Sequence, residues 1–281
     1  MSTALKPFPF SSVSDTYGNV SNSIYHGLQV SLMKRPSHGL TFMLNYTWSR
    51  AIDNGGTFLT GYDIPAQFSG DGKFHKADSF DRTVSTSNQP QHLVLTGVWD
   101  LPFGKSIFAN TAWQRAIFGG FKFSEILQMN SGSPLAITAS NCGTNPAQST
   151  CRPTLNPAFS GSARINGSWG NGVTAANTKV NFIDPNAFVA TPAYIFANSP
   201  RTAPYNLYSP GNYGLDISLR RSFALHLSDS SKLSLQADMY NVTNHTQFSG
   251  IGTSFGSSNF GQVSGQGNLS RDVQLSGRLE F

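Results

Sequence analysis

A strict alternation of apolar and polar side chains constrains this chain more than any other feature of its sequence. The alternation is clearest over residues 40–50, where the apolar positions are Leu40, Phe42, Leu44, Tyr46 and Trp48. Successive side chains of a β-strand point to opposite faces, so this segment predicts a strand with one apolar face and one mostly polar face. A tilted strand of about this length is long enough to cross the hydrocarbon layer of a membrane.

The same period recurs along the whole chain and gives seven strand candidates. They are 28–33, 40–50, 93–101, 121–130, 215–220, 233–239 and 271–281. Helical periodicity is nearly absent, apart from a possible short turn at 111–118. No stretch of about 18 apolar residues occurs, so no transmembrane helix is predicted.

The connections between these strands alternate between short and long. The short ones are Pro36-Ser37-His38-Gly39, about 102–119 and about 226–231, and the long ones are about 51–91, 138–212 and 245–270. Consecutive antiparallel strands place alternate connections at opposite ends of the sheet, so the long loops share one end. Outer-membrane barrels have this asymmetry, with short periplasmic turns and long extracellular loops. The sequence therefore predicts an all-β, antiparallel transmembrane β-barrel segment.

Composition narrows the classes of protein further. The 281 residues include 12% charged and 12% aromatic side chains, and the net charge is +5. The aromatic content argues against wholesale disorder, and the scattered basic residues argue against a nucleic-acid partner. A soluble β-sandwich also alternates and remains the competing fold, although sandwiches seldom carry three long connections at one end.

The sequence offers little catalytic chemistry. Gly252-Thr253-Ser254-Phe255-Gly256 matches the G-x-S-x-G pattern of hydrolases, but no histidine follows Ser254 to complete a triad. The six histidines show no H-x-x-x-H or H-E-x-x-H spacing, so no metal site is predicted. We therefore expect a protein that is not an enzyme and that uses no cofactor.

Two sets of residues are candidates for structural or functional roles. Cys142 and Cys151 lie in a polar loop, where a disulfide or two unrelated thiols both fit. The polar positions of the last three strands include Asp216, Arg220, Gln236, Asp238, Gln274 and Arg278. We expect these six side chains to face an aqueous lumen. They form either a wall that contacts a plug or solute, or a solvated wall in which aspartates pair with arginines.

A series of short motifs follows one another along the chain in a definite order and spacing. They are Leu28-Gln29-Val30, Lys34-Arg35, Ser37-His38-Gly39-Leu40, residues 45–50, Leu101-Pro102-Phe103-Gly104-Lys105, Gly119-Gly120-Phe121, residues 128–134, residues 240–248 and Phe260-Gly261-Gln262-Val263. Together they resemble the barrel of Oar-like TonB-dependent outer-membrane transporters. The resemblance extends from about residue 20 to residue 281.

The resemblance implies a barrel of about 22 strands with an N-terminal plug in its lumen. A periplasmic segment of such a protein engages TonB, and the inner-membrane proton gradient drives uptake of a solute across the bacterial outer membrane. Outer-membrane lipid surrounds the barrel. The closing strand, residues 271–281 with the terminal Phe281, resembles the signal that the barrel-assembly machinery reads.

Seven strands make up about a third of the implied barrel, and bacterial single-chain barrels have even strand counts. Nothing before residue 20 resembles a plug, a TonB-contacting segment or a signal peptide. We therefore expect residues 1–281 to be one partial barrel domain, without its N-terminal barrel and plug and inactive by itself. The alternatives are a small self-contained outer-membrane barrel acting as an adhesin or structural protein, and a soluble secreted β protein with carbohydrate-binding loops.

Overall fold

The computed structural model describes residues 22–54, 82–105, 107–108, 110–140, 151–165, 180–192, 197–225 and 231–281, and every structural statement refers to this part of the chain. Its strands, in chain order, are β1 (Ser23–Ser37), β2 (Leu40–Asp53), β3 (Thr83–Val84), β4 (Gln91–Asp100), β5 (Phe121–Asn130), β6 (Thr138–Ala139), β7 (Thr154–Leu155), β8 (Val180–Asn181), β9 (Phe188–Val189), β10 (Asn212–Ala224), β11 (Lys232–Tyr240), β12 (Phe248–Ile251), β13 (Ser254–Phe255), β14 (Gln262–Gln266) and β15 (Asp272–Glu280). The helices are α1 (Ala112–Phe118) and two 3-10 turns, Pro185–Ala187 and Pro204–Asn206. None of these helices is both long and apolar enough to span a membrane.

The seven long strands form one antiparallel sheet in which each strand pairs with the next long strand along the chain. The order is β1-β2-β4-β5-β10-β11-β15, and the short β3 pairs with β2. All seven predicted strands are confirmed. The three long connections therefore share one end of the sheet, and the short connections share the other. We call these the long-loop end and the short-turn end.

The pairing register brings side chains of one kind onto one face. Leu32 pairs with Leu44, Leu44 with Leu95, Leu95 with Leu127, and Leu127 with Leu215, so leucines form a row across five strands. We call this side of the sheet the apolar face. It also carries Leu28, Val30, Tyr46, Trp48, Leu93, Trp99, Met129, Leu219, Leu235, Val273, Leu275 and Leu279. The opposite side is called the polar face.

Local sequence explains how the short-turn end is built. His38 and Gly39 join β1 to β2 with φ of 53° and 79°, the left-handed pair that a two-residue hairpin loop requires. The turn is two residues long instead of the predicted four, because Pro36 and Ser37 still belong to β1. The possible short turn at 111–118 is a helix, α1, and Thr111 caps it by accepting a hydrogen bond from the Gln114 backbone N–H at 3.4 Å.

The buried apolar core lies outside the seven-stranded sheet. Its members come from the second and third long connections and pack into one cluster, which we call the loop core: Leu135, Ile137, Ala163, Phe182, Ile183, Ala187, Phe188, Leu207, Phe260 and Val263. Short strand pairs hold these connections together, including β6 with β13, β7 with β9, and β14 with both β8 and β12. The sheet itself leaves most of its large apolar side chains exposed.

Glu125 and Ile126 break the alternation of β5, a pattern that a bulge or a change of phase would explain. The structure has neither, because β4 and β5 pair without interruption from Asp100–Lys122 to His92–Asn130. Glu125 lies on the apolar face opposite Gly97, whose missing side chain leaves room for the Glu125 carboxylate.

Candidate functional site: the polar face and the loop core

The six side chains predicted to face a lumen all lie on the polar face of β10, β11 and β15. The pairing sets them side by side, with Arg220 opposite Gln236 and Asp238 opposite Gln274. Asp216 lies further along β10 toward the long-loop end, and Arg278 lies on β15 opposite Ser234. The structure thus brings the predicted residues onto one continuous polar surface.

Hydrogen bonds within this surface differ from the predicted pairing of aspartates with arginines. Asp238 accepts from the Gln236 amide at 2.8 and 3.0 Å. Asp216 accepts the backbone N–H of Asn241 at 2.8 Å, so it ties β10 to the start of the last long connection. Arg220 donates to Ser234 Oγ at 3.1 Å. Alternation places a side chain on a face, but it does not reveal which neighbour the side chain will bind.

Ion pairs on the polar face gather at the short-turn end. Lys122 Nζ lies 3.3 Å from Asp100. Lys232 and Arg278 both approach the Glu280 carboxylate, at 2.7 and 3.1 Å. These pairs bridge neighbouring strands or lie along one strand, and their side chains are partly exposed. Water screens them, so they order the surface more than they stabilise it.

The polar face also carries an exposed apolar patch, which the alternation within single strands does not predict. Met33 pairs with Met43, and the patch continues across β4 and β5 through Val98 and Ile126. Met33 is 61% exposed and Ile126 is 48% exposed. The polar face therefore carries a small apolar patch on β1, β2, β4 and β5, and charged side chains near β15. The register of all four strands is needed to see this patch.

A buried ion pair attaches the second long connection to the long-loop end of the sheet. The Arg201 guanidinium donates to the Asp53 carboxylate and, at 3.2 Å, to the Asp53 carbonyl. The Arg201 side chain is only 3% exposed. Its neighbour Thr202 contacts the Val84 carbonyl and, at 2.8 Å, the Thr83 hydroxyl. This pair and its neighbours fix the loop core over the ends of β2 and β3.

Asparagine side chains close the base of the third long connection. Asn241 accepts the His245 N–H at 3.0 Å and donates to the Leu269 carbonyl at 3.0 Å. Asn244 accepts the Arg271 N–H at 3.0 Å, and Asn268 accepts the Gln247 N–H at 2.8 Å. The asparagines of the motif at 240–248 therefore have a structural role. They bring the ends of β11 and β15 together.

A cleft of about 620 Å³ opens beside β1 at the long-loop end. His26, Trp48 and Arg50 line one side of it, and Asn88 and Tyr208 line the other. Burial raises the pKa of the Tyr208 hydroxyl, while the Arg50 charge and a hydrogen bond with Asn88 act in the opposite direction. Four of the strand residues that line this cleft, His26, Leu28, Trp48 and Arg50, belong to the apolar face, and Gly27 and Ser49 lie between them on the same strands.

The remaining sequence candidates have the following positions. Cys151 is disulfide-bonded, whereas Cys142 lies outside the described residues, so the pairing of the two stays a prediction. Phe281 directly follows β15 and is 87% exposed.

Ser254 lies in β13, paired with β6, and the described residues after it contain no helix. The G-x-S-x-G match therefore lacks the strand–turn–helix surroundings of a nucleophile elbow.

Comparison with known proteins identifies the family. No curated protein matches the chain. Among solved structures, the outer membrane transporter YddB from Escherichia coli aligns with 92% of this chain at 11% identity and a TM-score of 0.44, and the chain spans 25% of that transporter. The family model for the outer membrane beta barrel domain matches residues 2–274. Nearly the whole chain fits this model, so the protein belongs to the outer membrane beta barrel domain family and resides in the outer membrane.

Proposed function

We propose that this chain is the C-terminal barrel portion of a TonB-dependent outer-membrane receptor for active uptake of a solute. In this proposal the chain supplies wall strands and extracellular loops and catalyses no reaction. The rest of the barrel, the plug and the contact with TonB belong to other parts of the receptor. Plug apices and extracellular loops select the ligand of such a receptor.

The observation that carries the proposal is that both edge strands of the sheet have one unpaired side. Among the described residues, β1 pairs only with β2, and β15 pairs only with β11. Unpaired N–H and C=O groups of an edge strand find no partner in lipid, so a strand at membrane depth must be paired on both sides. Each edge therefore needs a further strand.

β1 and β15 cannot supply that strand to each other in an antiparallel barrel. They are the first and seventh strands of a sheet in which direction alternates at every step, so both run toward the same side. An antiparallel closure requires neighbours of opposite direction, and bacterial barrels accordingly have even strand counts. We infer that the further strands come from another portion of the barrel. A self-contained barrel of seven strands is disfavoured for the same reason.

The two ends of the sheet support an orientation in the membrane. The long connections contain the loop core, the Arg201–Asp53 ion pair and the asparagine contacts, whereas β1 and β2 are joined by a two-residue turn. In outer-membrane barrels the long loops are extracellular and the short turns periplasmic. We therefore assign the long-loop end to the cell exterior, and the polar face to the lumen.

The coding sequence around the chain provides the test. We expect the DNA upstream of Met1 to encode, in frame or across a gene break, further alternating strands and an N-terminal plug. A barrel-coding sequence without a plug would support a barrel of another class. An upstream region with neither would contradict the proposal and favour an adhesin or structural role.

A further inference from the structure

The connection between β4 and β5 lies at the short-turn end, and the structure describes residues 101–105, 107–108 and 110–120 of it. Its two ends meet where Gly104 packs against Gly119, so closely that a Cβ on Gly104 would lie 2.4 Å from the Gly119 Cα. Gly104 also has φ of 72°, which favours glycine. Between these glycines in the sequence, the Phe108 and Phe118 rings pack against each other, with their centroids 5.3 Å apart. The connection therefore presents α1 in a defined position.

Arg221 attaches α1 to the apolar face. Its guanidinium donates to the carbonyls of Ala116 and Ile117, the last turn of the helix. The same guanidinium lies over the Phe121 ring at 5.0 Å and the Phe223 ring at 4.2 Å. A cation at the carbonyl end of a helix and over aromatic faces is favourably placed. This explains why an arginine is present at an apolar-face position of β10.

Most side chains of α1 are exposed in the described part of the protein. The helix has no buried residue. Trp113 is 58% exposed, Ile117 53% and the preceding Phe108 55%. Trp113 and Ile117 are four residues apart and so lie on one side of the helix. An apolar surface of this kind, next to the apolar face of the sheet, marks an interaction site.

The charge of this connection indicates what covers that surface. Residues 101–120 contain Lys105 and Arg115 and no acidic residue. Both side chains are exposed. A short amphipathic helix with tryptophan and basic side chains is the composition that lies at a membrane interface, where anionic headgroups attract the cations. The surface is also continuous with a sheet face that, in an outer-membrane barrel domain, contacts lipid.

We propose that α1 is an interfacial anchor seated in the phospholipid headgroup region beside the barrel wall. The ends of the acyl chains nearest the headgroups contact Trp113, Ile117 and Phe108. The headgroup phosphates contact Lys105 and Arg115. Arg221 is a positioning residue that holds the helix against the wall. The assignment to the periplasmic leaflet rests on the orientation in the proposed function.

Photo-crosslinking tests this anchor. The protein is produced in its natural coding context with p-benzoylphenylalanine in place of Trp113, and reconstituted in vesicles of phosphatidylethanolamine and phosphatidylglycerol. We expect phospholipid adducts at position 113, enriched in phosphatidylglycerol. The same replacement at Ile117 repeats the test if the first variant assembles poorly. Trp99 is the control position, because it lies at the same end of the sheet on the apolar face itself.

The outcomes separate the anchor from the proposed function. Lipid adducts at both 113 and 99 support both. Adducts at 99 with none at 113 or 117, or protein adducts at 113, overturn the anchor and leave the membrane-spanning wall intact. An absence of lipid adducts at all three positions contradicts the lipid-facing assignment of the apolar face, and the anchor with it.

Substitution of Arg221 tests how the helix is held. In the Trp113 crosslinking variant, Arg221→Leu should lower lipid adducts at 113 several-fold, because α1 loses the two hydrogen bonds that attach it to β10. Arg221→Lys should restore part of the signal, and adducts at 99 should remain unchanged with either substitution. Unchanged adducts at 113 with Arg221→Leu would overturn the positioning role.

Discussion

At the scale of single residues, the face on which a side chain lies sets the cost of changing it. Leu275 and Ser276 are neighbours near the middle of β15 and lie on opposite faces. Leu275 is 78% exposed on the apolar face, as a lipid-facing side chain would be. Ser276 lies opposite Gln236 on the polar face. The two positions therefore share one depth but differ in surroundings.

We expect Leu275→Arg to impair assembly and Ser276→Arg to be tolerated. An arginine that faces lipid near mid-membrane costs roughly 2–4 kcal/mol, whereas a polar wall accepts it. Heat-modifiable gel mobility of the barrel in outer membranes measures the assembled fraction. Equal mobility patterns for the two variants would contradict the face assignment.

The face on which a residue lies could be predicted from the sequence, whereas the partners that it contacts could not. Alternation places Asp238 on the polar face because strand geometry alone decides this. That Asp238 binds Gln236, and that Asp216 binds the Asn241 backbone, depends on local rotamers and on the path of the next connection. The exposed Met33–Met43 pair likewise depends on register, which a single strand does not reveal.

At the scale of elements, the short-turn end depends on glycine conformation. Gly39 has φ of 79°, and a Cβ there would lie 2.9 Å from the Asp100 carbonyl oxygen. Gly39→Ala should therefore destabilise the β1–β2 hairpin by about 1–2 kcal/mol. Gly214→Ala is the matched control, because open space surrounds that position on β10. Urea unfolding in lipid measures the stability of both variants. Equal unfolding midpoints would contradict the requirement for glycine in the β1–β2 turn.

The Arg201–Asp53 ion pair makes the second long connection and β2 one structural unit. Arg201→Ala leaves the Asp53 carboxylate without its partner, and breaking such a buried pair costs about 3–5 kcal/mol. We expect faster proteolysis within 131–211 while the strands stay protected. Arg164→Ala is the control, since the side chain of this arginine of the same connection is exposed and lies over the Phe182 ring. Similar cleavage rates for both variants would show that the ion pair does not hold the connection.

Strands and turns were accessible from the sequence because their signals are local. The period of two identifies all seven long strands, and His38-Gly39 and Thr111 mark a hairpin and a helix start. The loop core was not predicted. Its contacts join segments far apart in the chain, such as Leu135 with Leu207 and β6 with β13. No local pattern encodes pairings over such separations.

At the scale of the whole molecule, the open sheet determines whether the isolated chain can form a closed barrel. Two edge strands of the same direction cannot close antiparallel. We expect the 281-residue chain, refolded by itself in detergent, to show no heat-modifiable mobility and to remain sensitive to protease. Co-refolding with the upstream barrel strands should restore both properties. A compact, protease-resistant monomer formed by the chain alone would instead support the self-contained barrel.

The central claim is that the apolar face contacts lipid and the polar face contacts water. Nitroxide spin labels placed one at a time at positions 233–239 of β11, in membranes, test it most directly. We predict that collision with lipid-soluble oxygen peaks at 233, 235, 237 and 239, and that collision with a water-soluble nickel complex peaks at 234, 236 and 238. The reverse alternation, or uniform access to both reagents, would contradict the account.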